Sequence, residues 1–243
     1  GIKNRYEVVK TFGIFDNVFC PNEKTFRFLE DVFSEVAALF PGTYIHIGGD
    51  ECPKTAWKQC SHCQGLMKKL NLRDENQLQS YFIHEVEKIV NRQGKQIIGW
   101  DEILDGGLAP NATVMSWRGE KGGIEAAKSG HSVIMMPNAD TYLNYYQEDP
   151  EYAPIGSGSF LPIEQVYSYE PIPAQMNDRD KKYVLGMEAA LWTPYMKNPD
   201  VVDYYMYPRF YAVAEVAWTP AETKNYTDFL VRIRKQYARL DLQ

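Results

Sequence analysis

The chain has 243 residues, enough to bury one substantial core, and its 44% hydrophobic and 24% charged residues are ordinary for a globular protein. A net charge of -6 and the lack of a basic stripe argue against nucleic acid as a partner. No stretch approaches the length and apolarity of a membrane span, and the start Gly1-Ile2-Lys3-Asn4-Arg5 does not read as a signal peptide.

Residues 1–24 read as irregular, punctuated by Gly13, Asp16-Asn17 and Pro21-Asn22. Phe26, Leu29, Val32, Phe33, Val36, Ala37 and Phe40 then recur at helical spacing, which predicts a helix over Thr25 to Phe40, stopped by Pro41-Gly42. A strand is expected at 43–47, where Tyr44, Ile45 and Ile47 have strand character. Gly48 and Gly49 should end its pairing and let backbone or ligand come close. A loop carrying Cys60 and Cys63 follows. Leu78, Phe82, Val86, Ile89 and Val90 mark an amphipathic helix over 78–90, ended near Gly94. Strands are expected at 95–100, 113–117 and 132–136, with a short helix at 123–128 between the last two. A proline-rich connection over 137–181 is long enough to suggest a functional segment. A last strand at 183–190 and helices near 200–217 and 226–240 close the chain. This alternation predicts an α/β fold in a single domain spanning 1–243, with parallel strands and crossover helices.

The chemistry concentrates at Asp50-Glu51, directly after the 43–47 strand and its glycines. Two neighbouring acids leaving a buried strand repel each other and lose hydration. That raises one pKa and keeps a neutral carboxylic acid available to protonate a leaving oxygen. The competing reading of such a pair is a solvated turn or a helix N-terminus. Trp100, Trp117 and Trp192 each end an expected strand, either as core packing or as walls of a ligand pocket. Glu102 reads as a supporting acid or a solvated loop residue, His46 as a structural histidine bonded to a neighbouring strand, and Trp218 as packing. Cys60-Ser61-His62-Cys63 has the spacing of half a zinc or redox site, which Cys52 or Cys20 could complete. Reduced thiols or one disulfide fit the same four cysteines.

The string His46-Ile47-Gly48-Gly49-Asp50-Glu51 resembles the active-site signature of glycoside hydrolase family 20, the β-N-acetylhexosaminidases. The resemblance continues in order through Gly99-Trp100-Asp101-Glu102, Met115-Ser116-Trp117, Tyr142-Leu143-Asn144-Tyr145-Tyr146, Gly186 to Trp192, and Pro208-Arg209 to Trp218. It implies a (β/α)8 TIM barrel whose fourth strand ends at Asp50-Glu51. This chain would then supply about strands 4–8, and the missing N-terminal part of the barrel, or a second chain, would supply the rest. The resemblance also implies exo-acting, retaining hydrolysis of terminal β-linked GlcNAc or GalNAc, with the substrate's own 2-acetamido group as nucleophile. No metal or organic cofactor is implied, and the compartment suggested is secreted, periplasmic or lysosomal. Glu51 would be general acid and then base, and Asp50 would hold the acetamido group. Trp100, Trp117 and Trp192 would wall the acetamido pocket, the Tyr142 hydroxyl would meet the acetamido oxygen, and Asn144 would bond a sugar hydroxyl. Two positions depart from the family pattern: Asn144 stands where an aspartate is common, and Pro194 where a glutamate is common. The altered hydroxyl clamp and the absent third of the barrel leave an inactive or impaired glycan-binding fragment or relative of this family as the alternative.

Overall fold

The computed structural model describes residues 9–240, so the first part of the stretch expected to be irregular lies outside the described residues. Asn22 accepts a hydrogen bond from the Thr25 N–H at 3.0 Å and starts α1, Glu23–Leu39. Strand β1 is Tyr44–His46. The segment expected to be a loop is instead two helices, α2, Thr55–Gln59, and α3, Ser61–Leu70. Its apolar residues explain the difference: Trp57, Cys63 and Met67 are buried together against Leu78. Helix α3 stops where Asn71 turns left-handed at φ 55°. Asp74 caps α4, Glu75–Arg92, through the Gln77 N–H at 2.9 Å. Then come β2, Gln96–Trp100, β3, Thr113–Ser116, α5, Lys121–Lys128, and β4, Val133–Met135.

The long connection is not structureless, because it holds the short helices α6, Asn138–Thr141, and α7, Ile163–Ser168. Strand β5 is Val184–Met187. The helix expected near 200–217 is two, α8, Pro199–Met206, and α9, Arg209–Trp218. Pro208 separates them, since it has no N–H to continue the first helix. Helix α10 is Tyr226–Leu240. All five expected strands are present, parallel where their pairing is described, and the sheet runs β1-β2-β3-β4-β5 in chain order. Parallel strands in chain order joined through helices have the connectivity of part of a (β/α)8 barrel.

The chain divides into two compact units. In the first, residues 1–115 with 129–132, helix α4 packs on α1 and on β2. Leu78, Ile83, Val86, Ile89 and Val90 of α4 are buried. Helix α1 buries none of its own residues, although Phe26 rests 5.2 Å from the Phe82 ring centroid. In the second unit, residues 116–128 with 133–243, Leu143, Leu161, Val166, Tyr167, Ala212, Val213, Phe229 and Ile233 form the core. Arg209 is fully buried there and donates to four carbonyls: Leu143 at 2.5 Å, Tyr205 at 2.8 Å, Tyr145 at 2.9 Å and Leu161 at 3.0 Å. One guanidinium thus satisfies three carbonyls of the loop that follows α6 and one of α8, and burial lowers its pKa to about 10. Trp218 corrects the expectation of packing. It is the last residue of α9 and is 88% exposed, because the helix ends before any described residue covers the ring.

Two glycines test how far backbone geometry controls the first unit. Gly49 has φ +97°, and a Cβ there would stand 2.6 Å from the Ile103 side chain. Gly49→Ala should lower stability by about 1–3 kcal/mol. Gly65 is exposed inside α3 with nothing within 4 Å of an added Cβ, so Gly65→Ala should raise stability by roughly 0.5–1 kcal/mol. Denaturant midpoints with unchanged slope measure both, and an Ala at 49 as stable as the parent would contradict the packing described.

Candidate active site

The acid pair leaves β1 through a left-handed turn. Gly48 and Gly49 have φ +76° and +97°, and Glu51, which is not glycine, has φ +45°. A non-glycine residue in that region costs free energy and persists only where its surroundings impose it. Regular pairing of β1 ends at His46, but backbone bonds to β2 continue beyond it. Ile47 N–H donates to Ile98 at 2.8 Å, and Trp100 N–H donates to the Gly48 carbonyl at 2.9 Å. The glycines therefore turn the chain after one more rung than the sequence suggests.

Two side chains that sequence reasoning missed hold the turn from either end. Gln79 of α4 is buried, and its amide donates to the Gly49 carbonyl at 2.8 Å. Lys54 donates to the Cys52 carbonyl at 2.8 Å and to the Gln79 amide oxygen. Asp50 and Glu51 sit between these two tethered carbonyls. The available signal was a glutamine in the buried stretch of α4, beside Leu78 and Ser80, but helical periodicity alone gives such a residue no partner.

Electrostatics in this unit raise the pKa of both acids. Burial raises the Glu51 pKa, and the charges of Asp50 and then Glu102 add to the rise. Burial raises Asp50 as well, its own backbone N–H partly offsets that, and the Glu102 charge adds again. Glu102 is half-buried and acts on both acids, which favours the supporting role over that of a solvated loop acid. The Trp100 ring lies 4.5 Å from that of His46, centroid to centroid. The bond expected from His46 to a neighbouring strand is replaced by a local one: its Nδ1 accepts the Gly48 N–H at 3.1 Å, two residues along the chain.

The second unit gathers the other candidates. Tyr142 is buried and parallel-bridged to Ala190, beyond the end of β5. The Trp117 ring stacks with Tyr142 at 6.2 Å and 11°, while Trp192 meets Tyr142 edge-on at 6.1 Å. Trp192 is 45% exposed. Asn144 is buried, its amide donating to the Ser157 hydroxyl at 2.6 Å and its oxygen accepting the Trp192 N–H at 3.4 Å. The first unit thus holds Asp50, Glu51, Trp100 and Glu102, and the second holds Trp117, Tyr142, Asn144 and Trp192. Pro194 is exposed just past Trp192.

Adjacent acids just past a parallel strand, with a tryptophan at the end of the next strand, are an arrangement found in the barrel glycoside hydrolase class. Residues 2–221 match the glycosyl hydrolase family 20 catalytic domain, and the chain belongs to that family. It is 52% identical over 233 residues to a beta-hexosaminidase of Porphyromonas gingivalis, covering 95% of this chain and 30% of that protein. A beta-hexosaminidase of Vibrio furnissii is 38% identical, over 87% of this chain and 35% of its own length. Among solved structures, the family 20 exo-β-N-acetylglucosaminidase of Vibrio harveyi in complex with N-acetylglucosamine superposes with TM-score 0.82 at 35% identity, covering 91% of this chain and 35% of its own. The chain thus spans about a third of the length of the relatives it matches.

The charge of Glu102 gives the site a testable pH signature. Glu102→Gln removes a negative charge that raises both Asp50 and Glu51. Both pKa values should fall. The shift is measured by following the two carboxyl groups by NMR through a pH series. Midpoints that stay in place would show that Glu102 does not act on the pair.

Proposed function

We propose that the protein is an exo-acting retaining β-N-acetylhexosaminidase that removes terminal β-linked GlcNAc or GalNAc by substrate-assisted catalysis, and that this chain carries its acid/base pair. The observation that supports this most is the acid pair after Gly49: two adjacent carboxyl groups, both raised by burial and by neighbouring charge. The names of the matching relatives point the same way.

Glu51 gives its proton to the leaving oxygen while the 2-acetamido oxygen of the sugar attacks the anomeric carbon. The glycosidic bond breaks and a cyclic oxazolinium forms. Asp50 accepts a hydrogen bond from the acetamido N–H, orients the group and balances the positive charge that develops. Glu51, now a carboxylate, takes a proton from water, which opens the ring at the same carbon. Two inversions leave the configuration retained. Trp100, Trp117 and Trp192 wall the acetamido group, excluding water and holding it in attack geometry. The Tyr142 hydroxyl bonds the acetamido oxygen. Asn144 serves the sugar pocket by fixing Trp192, because its amide is already engaged by Ser157 and by the Trp192 backbone.

Dependence on the acetamido group tests this reading. An aryl glycoside with a plain 2-hydroxyl should be cleaved far more slowly than its 2-acetamido counterpart. A thiazoline mimic of the cyclic intermediate should bind much more tightly than the product sugar. Asp50→Asn should weaken the mimic by roughly 10- to 100-fold, equivalent to about 1.5–3 kcal/mol for a hydrogen bond to a charged group. Equal cleavage of the two glycosides would contradict substrate assistance.

A further inference from the structure

Among the described residues, the thiols around α3 form a second close group of reactive side chains, outside the acid pair. All four cysteines are free. The sulfurs of Cys20, Cys60 and Cys63 lie within 4.8 Å of one another, and Cys20 and Cys63 are 3.8 Å apart. We propose that Cys20, Cys60 and Cys63 form a zinc site that ties the segment before α1 to the helices behind the catalytic turn.

Four features of the structure support a built site. First, Cys60 is the N-cap residue of α3 but its side chain makes no capping hydrogen bond, and its sulfur lies with those of Cys20 and Cys63 instead. Second, Cys63 is fully buried, so its thiol faces its partners rather than solvent. Third, Cys20 is held on both sides: the Trp57 indole donates to the Phe19 carbonyl at 2.9 Å, and the His62 ring bonds the Pro21 carbonyl at 3.2 Å. These anchors come from α2 and α3, so a residue 43 positions away is brought to the α3 N-terminus before any metal binds. Fourth, the three ligands are all sulfur, a soft set that suits zinc and does not suit magnesium or calcium.

Cys52 packs on the same apolar cluster, but its sulfur is not in the trio. Zinc therefore takes three thiolates, and water fills the fourth tetrahedral position on the half-exposed side of Cys20 and Cys60. On binding, the three thiol protons pass to solvent and no electrons move, so the site needs no redox partner. The ion would cross-link the chain across the cluster of Trp57, Cys63, Met67 and Leu78, on which the Cys52 segment also packs. Its effect would be on the order and stability of the first unit, with no part in proton transfer. This inference is independent of the proposed activity.

The test is metal analysis of the protein purified without chelator or added thiol. Elemental analysis should find roughly one zinc per chain. Cobalt exchanged into the site should give a thiolate-to-metal charge-transfer band and the ligand-field bands of a tetrahedral ion. Cys20→Ser and Cys60→Ser should lose the bound metal, whereas Cys52→Ser should keep it. The cobalt spectrum of the parent protein reports sulfur ligation even where a serine variant does not fold. The proposal is overturned by a metal-free protein with four titratable thiols, by a disulfide within the trio, or by full zinc content in Cys20→Ser and Cys60→Ser. Loss of metal in Cys52→Ser would overturn the ligand set.

Discussion

Backbone conformation at the end of β1 governs where the acids stand. Three of the four residues from Gly48 to Glu51 adopt positive φ, and only two of them are glycine. The third is the proposed general acid. Its left-handed backbone has a cost that the surroundings must offset, and the offset is visible in two tethers. Gln79 holds the Gly49 carbonyl and Lys54 holds the Cys52 carbonyl. Ile103 packs so close to Gly49 and Gly99 that a methyl group at either would collide with it. The turn is therefore fixed by packing below, hydrogen bonds at both ends and backbone pairing with Trp100.

That fixed turn explains the electrostatics. Adjacent carboxyl groups on a mobile loop would rotate apart and hydrate. Held in place and partly buried, both keep a raised affinity for a proton, Glu51 under the charges of Asp50 and Glu102 and Asp50 under that of Glu102. An acid that must both give and take a proton works best with a pKa near the working pH. The same logic of fixed backbone recurs in the second unit, where Arg209 occupies four carbonyls and holds the loop carrying Asn144 and Tyr145. Asn144 in turn bonds the Trp192 backbone, which keeps the exposed indole near Tyr142.

Much of this was legible in the sequence. The strands could be read because apolar runs end in glycine or at tryptophan, as at Ile45 before Gly48 and Ile98 before Trp100. The acid pair was legible because a buried strand and two glycines precede it. What escaped was set by tertiary partners. Gln79 looks like an ordinary helix residue until its carbonyl partner, thirty positions earlier, is placed beside it. Helices α2 and α3 are hard to tell from a loop in the sequence, because each is short and their buried residues, Trp57 and Cys63, share a core only with Leu78. Residue type alone suggests that Trp218 packs, whereas the end of α9 leaves it exposed. Asn144 was legible as a polar group at a site position, but its inward bonding to Ser157 was not.

The central claim is that Glu51 protonates the leaving group. The most direct measurement compares Glu51→Gln with the parent protein on two aryl N-acetylglucosaminides, one with a very acidic phenol and one with a weakly acidic phenol. Glutamine keeps the shape of the side chain and has no proton to give. The account predicts that kcat/KM for the weakly acidic leaving group falls by about 10²-fold or more. For the very acidic phenol it should fall far less, because that phenolate leaves without help. Equal losses for both substrates, or near-normal turnover of the poor leaving group, would contradict the assignment.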